Sequence, residues 1–474
     1  MVNPWVLRHE SPKVGCTYTR PLGMTELSFY WNGLCNGIAD IVQYVAIEVT
    51  SQELGELSVF ERTWIHLKHR YPLLGASLEE QGNDKRQIHL VVNDLELGRL
   101  KPGEVELLHV SSDKEIQVFI DQLVNGKRRL SNQLLARLIV IVQDVHRYHI
   151  IVNACHCITD GISIRLLMRA ILEELSSPNG HDVWKLEERL ALAVASEDLL
   201  PITKRSRPMQ RWHRAMGYII WSLRKRKIVV GTMYLECQQT LTRAQGGHTL
   251  PRAYSTATMI TPTTSGVIDY SFTDVESSVV IKNCRKLGLT VNNILPVLGQ
   301  VAITRSLCRR YIRGDIDVEE WEFRKREPMP IGGPLSLRPF LDKQWYDSGG
   351  ASNVCLAISH FFYMLPFMPL GAARHIAPGD KLPTYNDLLS PGRFLLRSQL
   401  LRKQAAQLME HPLFHEIVWA RVPERERLGR ETALAWIDAP PQDQNAIANP
   451  VPVWAQSGHG YVLSHGVTNI GNVS

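Results

Sequence analysis

Residues 154–161 read Ala154-Cys155-His156-Cys157-Ile158-Thr159-Asp160-Gly161. At the spacing His-x-x-x-Asp-Gly this run offers a base, a carboxylate able to fix its own loop, and a residue without Cβ. An imidazole has an unperturbed pKa of about 6.5, so His156 can take a proton from a hydroxyl near neutral pH. Each residue also has a plainer use. A histidine at a strand end can be a hydrogen-bonded structural residue, and a carboxylate ahead of a helix caps exposed amide groups. The capping role does not compete with a role in holding the loop. Cys155 and Cys157 alternate with His156, which makes a disulfide between them or a Cys-His-Cys metal site geometrically poor. They read as small, buried hydrophobes, and no metal ligands are assigned.

The elements around the run must hold it in place. Upstream, Tyr148 to His156 is rich in β-formers, with Tyr148, Ile150, Val152, Ala154 and His156 on one face. It pairs with Leu135 to Gln143 in a predicted hairpin turning at Asp144-Val145-His146-Arg147. Downstream, Ile162, Leu166, Leu167, Ala170, Ile171 and Leu175 recur at helical spacing. A strand therefore ends in a tight loop that feeds a helix, and a rigid scaffold presents His156 where a substrate can reach it.

His156-x-x-x-Asp160-Gly161 after a strand resembles the signature of the CoA-dependent acyltransferase superfamily, which includes chloramphenicol acetyltransferase, alcohol acetyltransferases and the condensation domains of peptide synthetases. Further segments carry the resemblance in order along the chain. Arg20-Pro21-Leu22-Gly23-x-x-Glu26 is similar to the opening of fungal alcohol and trichothecene acetyltransferases. Leu67-x-x-Arg70-Tyr71-Pro72-Leu73-Leu74 is similar to the segment that follows the family's first helix. Cys284 to Asn292 resembles the start of a helix in the second half. Gly333-Pro334-Leu335-Ser336-Leu337-Arg338-Pro339-Phe340 resembles the strand that carries the family's structural arginine.

The resemblance implies an α/β fold of two chloramphenicol-acetyltransferase-like domains, each a mixed sheet with helices, and a tunnel between them. It makes His156 and Asp160 the catalytic-motif residues. His156 is the general base, and Asp160 holds the loop through an arginine, which carries over to Arg338. Gly161 leaves room for substrate. It implies acyl-CoA as co-substrate with no bound cofactor, and a small-molecule alcohol of specialised metabolism as acceptor, with acetyl the commonest acyl group among the similar fungal enzymes. Cys155 stands where condensation domains have a first histidine, which favours the alcohol acyltransferases. A carrier-served condensation enzyme, an enzyme repurposed for a reaction such as a cyclisation, and a binding protein on the same fold remain alternatives.

The chain has 474 residues, a net charge of +6, 44% hydrophobic and 21% charged residues. These values describe an ordinary globular protein, and no motif supports nucleic-acid binding. The start has no apolar core of signal-peptide length, and the eight cysteines lack C-x-x-C spacing. A cytoplasmic monomer is the expectation. The elements divide into a first domain over 1–180, a connector over 181–265 and a second domain over 266–474.

Lys204 to Lys227 in the connector is rich in Lys and Arg, has no acidic residue, and interleaves Trp212, Tyr218, Ile219, Ile220 and Trp221. It reads as a solvated basic linker with aromatics packed on the body, as a peripheral membrane-surface helix, or as a source of cations for coenzyme A phosphates. In the second half, Gly266 to Phe272 is predicted as a strand, Thr273-x-x-Glu276 as a capping box and Arg313 to Glu327 as an exposed loop. Phe361 to Ala373 reads as packed core. Thr468-Asn469-x-Gly471 resembles a second-half element that more chain follows in the alcohol acetyltransferases, so the second domain is expected to be shortened.

Overall fold

The computed structural model describes residues 4–11, 13, 15–50, 54, 56–82, 87–176, 184–201, 205–230, 265–268, 270–326, 329–366, 368–438 and 465–466. Thr468 to Gly471 lie outside them. The strands are β1 (Val6–Ser11), β2 (Gly15–Pro21), β3 (Ile41–Glu48), β4 (Ser77–Glu80), β5 (Ile88–Asn93), β6 (Val105–His109), β7 (Ala136–Val142), β8 (Arg147–Ala154), β9 (Met329–Ser336), β10 (Ile358–Leu365) and β11 (His465–Gly466). The longer helices are α1 (Met24–Leu34), α2 (Leu57–Arg70), α3 (Asp113–Asn125), α4 (Gly161–Ser176), α5 (Arg207–Val230), α6 (Asp274–Lys286), α7 (Val291–Ile312), α8 (Val318–Arg326) and α9 (Pro391–Met409). Two more, α10 (Phe414–Trp419) and α11 (Val422–Ile437), follow.

The first half holds two four-stranded sheets rather than the single one expected. One runs β1-β2-β5-β4, all antiparallel; the other runs β3-β8-β7-β6, with only β6 and β7 parallel. The hairpin joins β7 to β8 as predicted, and the Asp144 carboxylate accepts from the His146 and Arg147 amides in its turn. Alternation along β8 sends Tyr148, Ile150, Val152 and Ala154 into a core shared with Phe60, Trp64 and Leu67 of α2 and Ile164, Leu167 and Ile171 of α4. Ile151 points the other way, into a smaller cluster with Ile116 and Ile120 of α3. On α4 the buried stripe is Ile164, Leu167, Met168 and Ile171, while Ile162 and Leu166 are half-buried.

In the second half, β9 lies between antiparallel β10 and parallel β11. Val297, Val301 and Leu307 of α7 pack on Ile331, Leu365 and Leu401. Phe361 to Ala373 enters that core through Tyr363, Leu365, Met368 and Ala373. Thr273 and Glu276 form the expected capping box, and Gly288 ends α6 with φ +64°. Two expectations fail here. Residues 266–268 and 270–272 belong to no strand, and Ile268 is fully exposed; the described residues place no strand beside them, and an alternating segment without a partner has no ladder to join. The stretch expected as a loop contains α8, anchored by buried Trp321 stacked on Tyr311 with ring centroids 4.8 Å apart. Its charges belong to a half-exposed helix.

Two segments tie the halves together. Residues 192–200 contribute Leu192, Leu199 and Leu200 to a cluster with Trp345, Leu408 and Phe414, and the Ala193 carbonyl accepts from Trp5 Nε1 at 3.0 Å and Arg20 Nε at 2.9 Å. Helix α11 returns to the first half and lies along α1. Its Gly429 approaches Ser28 and Trp31, where an added Cβ would stand 3.4 Å from the Ser28 carbonyl. Among the described residues no single helix is long and apolar enough to cross a membrane.

Candidate active site

Strand β8 stops at Ala154, and His156 follows in the loop before α4. Its Nδ1 lies 2.7 Å from the Thr159 carbonyl oxygen. A carbonyl only accepts, so Nδ1 carries the proton and Nε2 keeps the lone pair. The ring stacks on Phe29 of α1, with centroids 3.9 Å apart and planes 23° apart. Burial pushes the imidazole below its ordinary pKa, and the nearby Arg425 guanidinium pushes in the same direction. The histidine is therefore neutral and available as a base.

Asp160 makes no direct hydrogen bond to His156 and is instead fully committed to holding its loop. Its Oδ1 accepts from the Ile162 and Ser163 amides at 3.1 and 2.8 Å, which caps α4. Arg338 Nη1 donates to Oδ1 and Oδ2 at 3.1 and 2.9 Å, and the Ala357 amide donates to Oδ2 at 2.9 Å. Arg338 follows β9 and Ala357 precedes β10, so one buried carboxylate pins the His156 loop to the ends of two strands of the other half. The carry-over of Asp160 onto Arg338 thus corresponds to a direct pair. Gly161 is the first residue of α4.

Ser163, which sequence reasoning missed, adds to this joint. Its hydroxyl donates to the Cys355 carbonyl at 2.6 Å and accepts from Arg338 Nη2 at 2.7 Å. Cys155 turns away from His156 toward Arg128, whose Nη2 lies 3.2 Å from its sulfur. Cys157 beside it and burial both raise the Cys155 thiol, so it stays protonated. No group of His, Cys, Asp and Glu among the described residues is placed to hold a metal.

The Arg20 to Glu26 motif has a physical purpose at this site. Arg20 Nη1 and Nη2 each donate to Glu26 at 2.7 Å, both side chains are buried, and Glu26 also accepts from the Gly23 amide at the start of α1. The motif fixes α1, and α1 carries Phe29 under His156.

Three residues from distant parts of the chain complete the surroundings, and none was assigned from sequence. The Phe29 ring also carries the Arg425 guanidinium at 4.1 Å, and Arg425 Nη1 lies 3.3 Å from His360 Nδ1. His360, on β10, is held far below its ordinary pKa by burial, then by Arg425 and Arg421. Two signals were available: a histidine inside the apolar run Ile358 to Leu365, and Arg421 and Arg425 four apart on one helix face. His156 thus sits where the halves meet, between α1, β10 and α11. A small cleft, with about 10 Å³ of room for a water-sized sphere, lies one helical turn away along α1 and α11, lined by Thr25, Glu197, Leu337, Ile358, Ser359 and Val422 among others. His156 does not line it.

No family model and no curated protein sequence matches the chain. Among solved structures, 91% of it aligns with 80% of the trichothecene 15-O-acetyltransferase from Fusarium sporotrichioides, at 12% identity and a TM-score of 0.57. It also aligns with the condensation domain from Monacolin K polyketide synthase MokA at 10% identity, over 86% of this chain and 76% of that one, with a TM-score of 0.49. The first condensation domain of the calcium-dependent antibiotic synthetase aligns at 12% identity, over 83% of this chain and 76% of that one, with a TM-score of 0.48. The chain has the two-domain, chloramphenicol-acetyltransferase-like fold that its motifs resemble.

Proposed function

We propose that the protein transfers an acyl group from acyl-coenzyme A to a hydroxyl of a small specialised metabolite, acting in the cytoplasm with His156 as general base. Nε2 takes the hydroxyl proton, and the alcohol oxygen forms a bond to the thioester carbonyl carbon. The resulting oxyanion collapses, the C–S bond breaks, and the departing thiolate takes the proton from the imidazolium. A thioester is already activated, so the exchange runs in one ternary complex without an acyl-enzyme. Acetyl is the simplest acyl group for this reading, and the protein binds its co-substrate without a resident cofactor.

One observation carries the reading. His156 has its tautomer set by Thr159 and stands where the two halves meet, in a fold shared with an O-acetyltransferase. Incubation with acetyl-CoA and a panel of alcohols, read by mass spectrometry, tests it directly. An ester product and free coenzyme A support the reading, and acyl transfer that needs a carrier protein in place of coenzyme A overturns it.

The pH profile gives a second check. A base must be neutral to act, and burial and Arg425 both lower the His156 pKa, so kcat/KM should hold its plateau below pH 6.5 and fall only in more acid solution. Arg425→Gln removes the second of these effects and should move the acid limb upward. An acid limb unmoved by that substitution would separate Arg425 from the titration of the base.

A further inference from the structure

A thioester attacked by an alcohol gathers negative charge on its carbonyl oxygen, and a donor already aimed at that oxygen lowers the barrier. The seam holds a second imidazole besides His156. Alternation along β10 sends Phe361, Tyr363 and Leu365 into the second core, which puts His360 and Phe362 on the opposite face. That face meets α11. The Arg421 guanidinium lies over the Phe362 ring at 5.2 Å, and one turn on, Arg425 Nη1 lies 3.3 Å from His360 Nδ1.

An arginine only donates, so His360 Nδ1 accepts and the ring carries its proton on Nε2. His156 is the reverse, with its proton on Nδ1 and its lone pair on Nε2. Burial and the two guanidiniums of α11 hold His360 far below its ordinary pKa, so it stays neutral with one N–H. A neutral imidazole N–H can polarise a carbonyl without giving up its proton. Both rings are half-buried, and among the described residues nothing bonds to Nε2 of either. Neither nitrogen is sealed from solvent. One ring therefore offers an open lone pair and the other an open N–H.

Phe29 links the two. Its ring centroid is 3.9 Å from that of His156 and 6.5 Å from that of His360, with planes 23° and 27° apart. The imidazole centres are thus no more than about 10 Å apart, the reach of two hydrogen bonds and the two oxygens of one tetrahedral carbon. We propose that His360 donates its Nε2–H to the oxyanion of the acyl transfer, held in that tautomer by Arg425. The assignment rests on the acyl-transfer reading. As the alcohol oxygen bonds to the thioester carbon and its proton passes to His156, the carbonyl electron pair moves onto oxygen and meets this N–H. When the pair returns, the C–S bond breaks, and His360 keeps its proton throughout.

Steady-state kinetics of the full-length protein with acetyl-CoA and an accepted alcohol test the assignment, beside thermal unfolding of each variant. His360→Leu removes the donor and should lower kcat by about 10²–10³-fold, the usual cost of one oxyanion donor, with little change in KM. His360→Gln puts an amide NH₂ near the lost N–H and should recover much of that rate, which a purely structural role would not do. Long-range proton–nitrogen NMR of histidine-labelled wild type should find the His360 proton on Nε2 and the His156 proton on Nδ1. Arg425→Leu should let the His360 proton spread over both nitrogens. A folded His360→Leu protein with wild-type kcat would sink the donor and leave His156 as base. A wild-type His360 protonated on Nδ1, or on both nitrogens, overturns the proposal even if every His360 variant unfolds. Absence of ester from the wild type itself would remove the acyl-transfer reading, and this assignment with it.

Discussion

Replacing His156 by alanine should lower acyl transfer by about 10²–10⁴-fold, the usual contribution of a positioned general base. The fold should persist. The side chain is half-buried, it bonds through Nδ1 to the Thr159 carbonyl, and Phe29 keeps its seat on α1 and its contact with Arg425. Steady-state rates with acetyl-CoA, beside a thermal unfolding curve, separate the two outcomes. Full turnover in this variant would refute the general-base role. Loss of activity with a large fall in unfolding temperature would make His156 a structural residue. His156→Gln sharpens the comparison, because it keeps a hydrogen bond to Thr159 and lacks a basic nitrogen.

Asp160→Asn should behave in the opposite way, losing stability first and activity as a consequence. Among the described residues this carboxylate is met by donors: the Ile162, Ser163 and Ala357 amides and Arg338. An asparagine turns its NH₂ against three of these donors in one orientation and two in the other, and leaves the buried guanidinium without its counter-charge. Breaking a buried pair from one side costs about 3–5 kcal/mol. The unfolding temperature should fall by several degrees, and Arg338→Met should fall similarly. The double variant should cost less than the sum of the two, since the second change removes the group that the first left unpaired. Additive losses would show that the pair is not coupled.

Much of this was legible before any coordinates, and the reason differs from one element to the next. The β8 strand, α2 and α4 carry their signals locally, as alternation or a 3.6-residue period within one window. The pairing of Asp160 with Arg338 came through family resemblance, because two residues 178 positions apart share no local pattern. Phe29, His360 and Arg425 are likewise far apart in the chain, and the local signals at His360 and Arg425 mark them as unusual without saying that they meet. Helix α5 looked like linker because apolar residues on both its inward and outward sides blur the single stripe that marks an ordinary surface helix. The strand expected at 266–272 fails for another cause, since alternation reports only that a segment suits a sheet and does not supply the neighbouring strand.

The return of α11 to α1 sets an order of assembly. Phe29 leaves the ribosome early and His156 soon after, but Arg425 emerges last, on a helix that must travel back across the whole molecule. At the usual pace of synthesis the first half waits on the order of tens of seconds for its cover. During that interval the α1 surface around Ser28 and Trp31, which α11 will occupy, is open to solvent. A nascent chain stalled before residue 421 would expose that seam, so this helix is where a chaperone would find the unfinished protein and where a truncated one would aggregate.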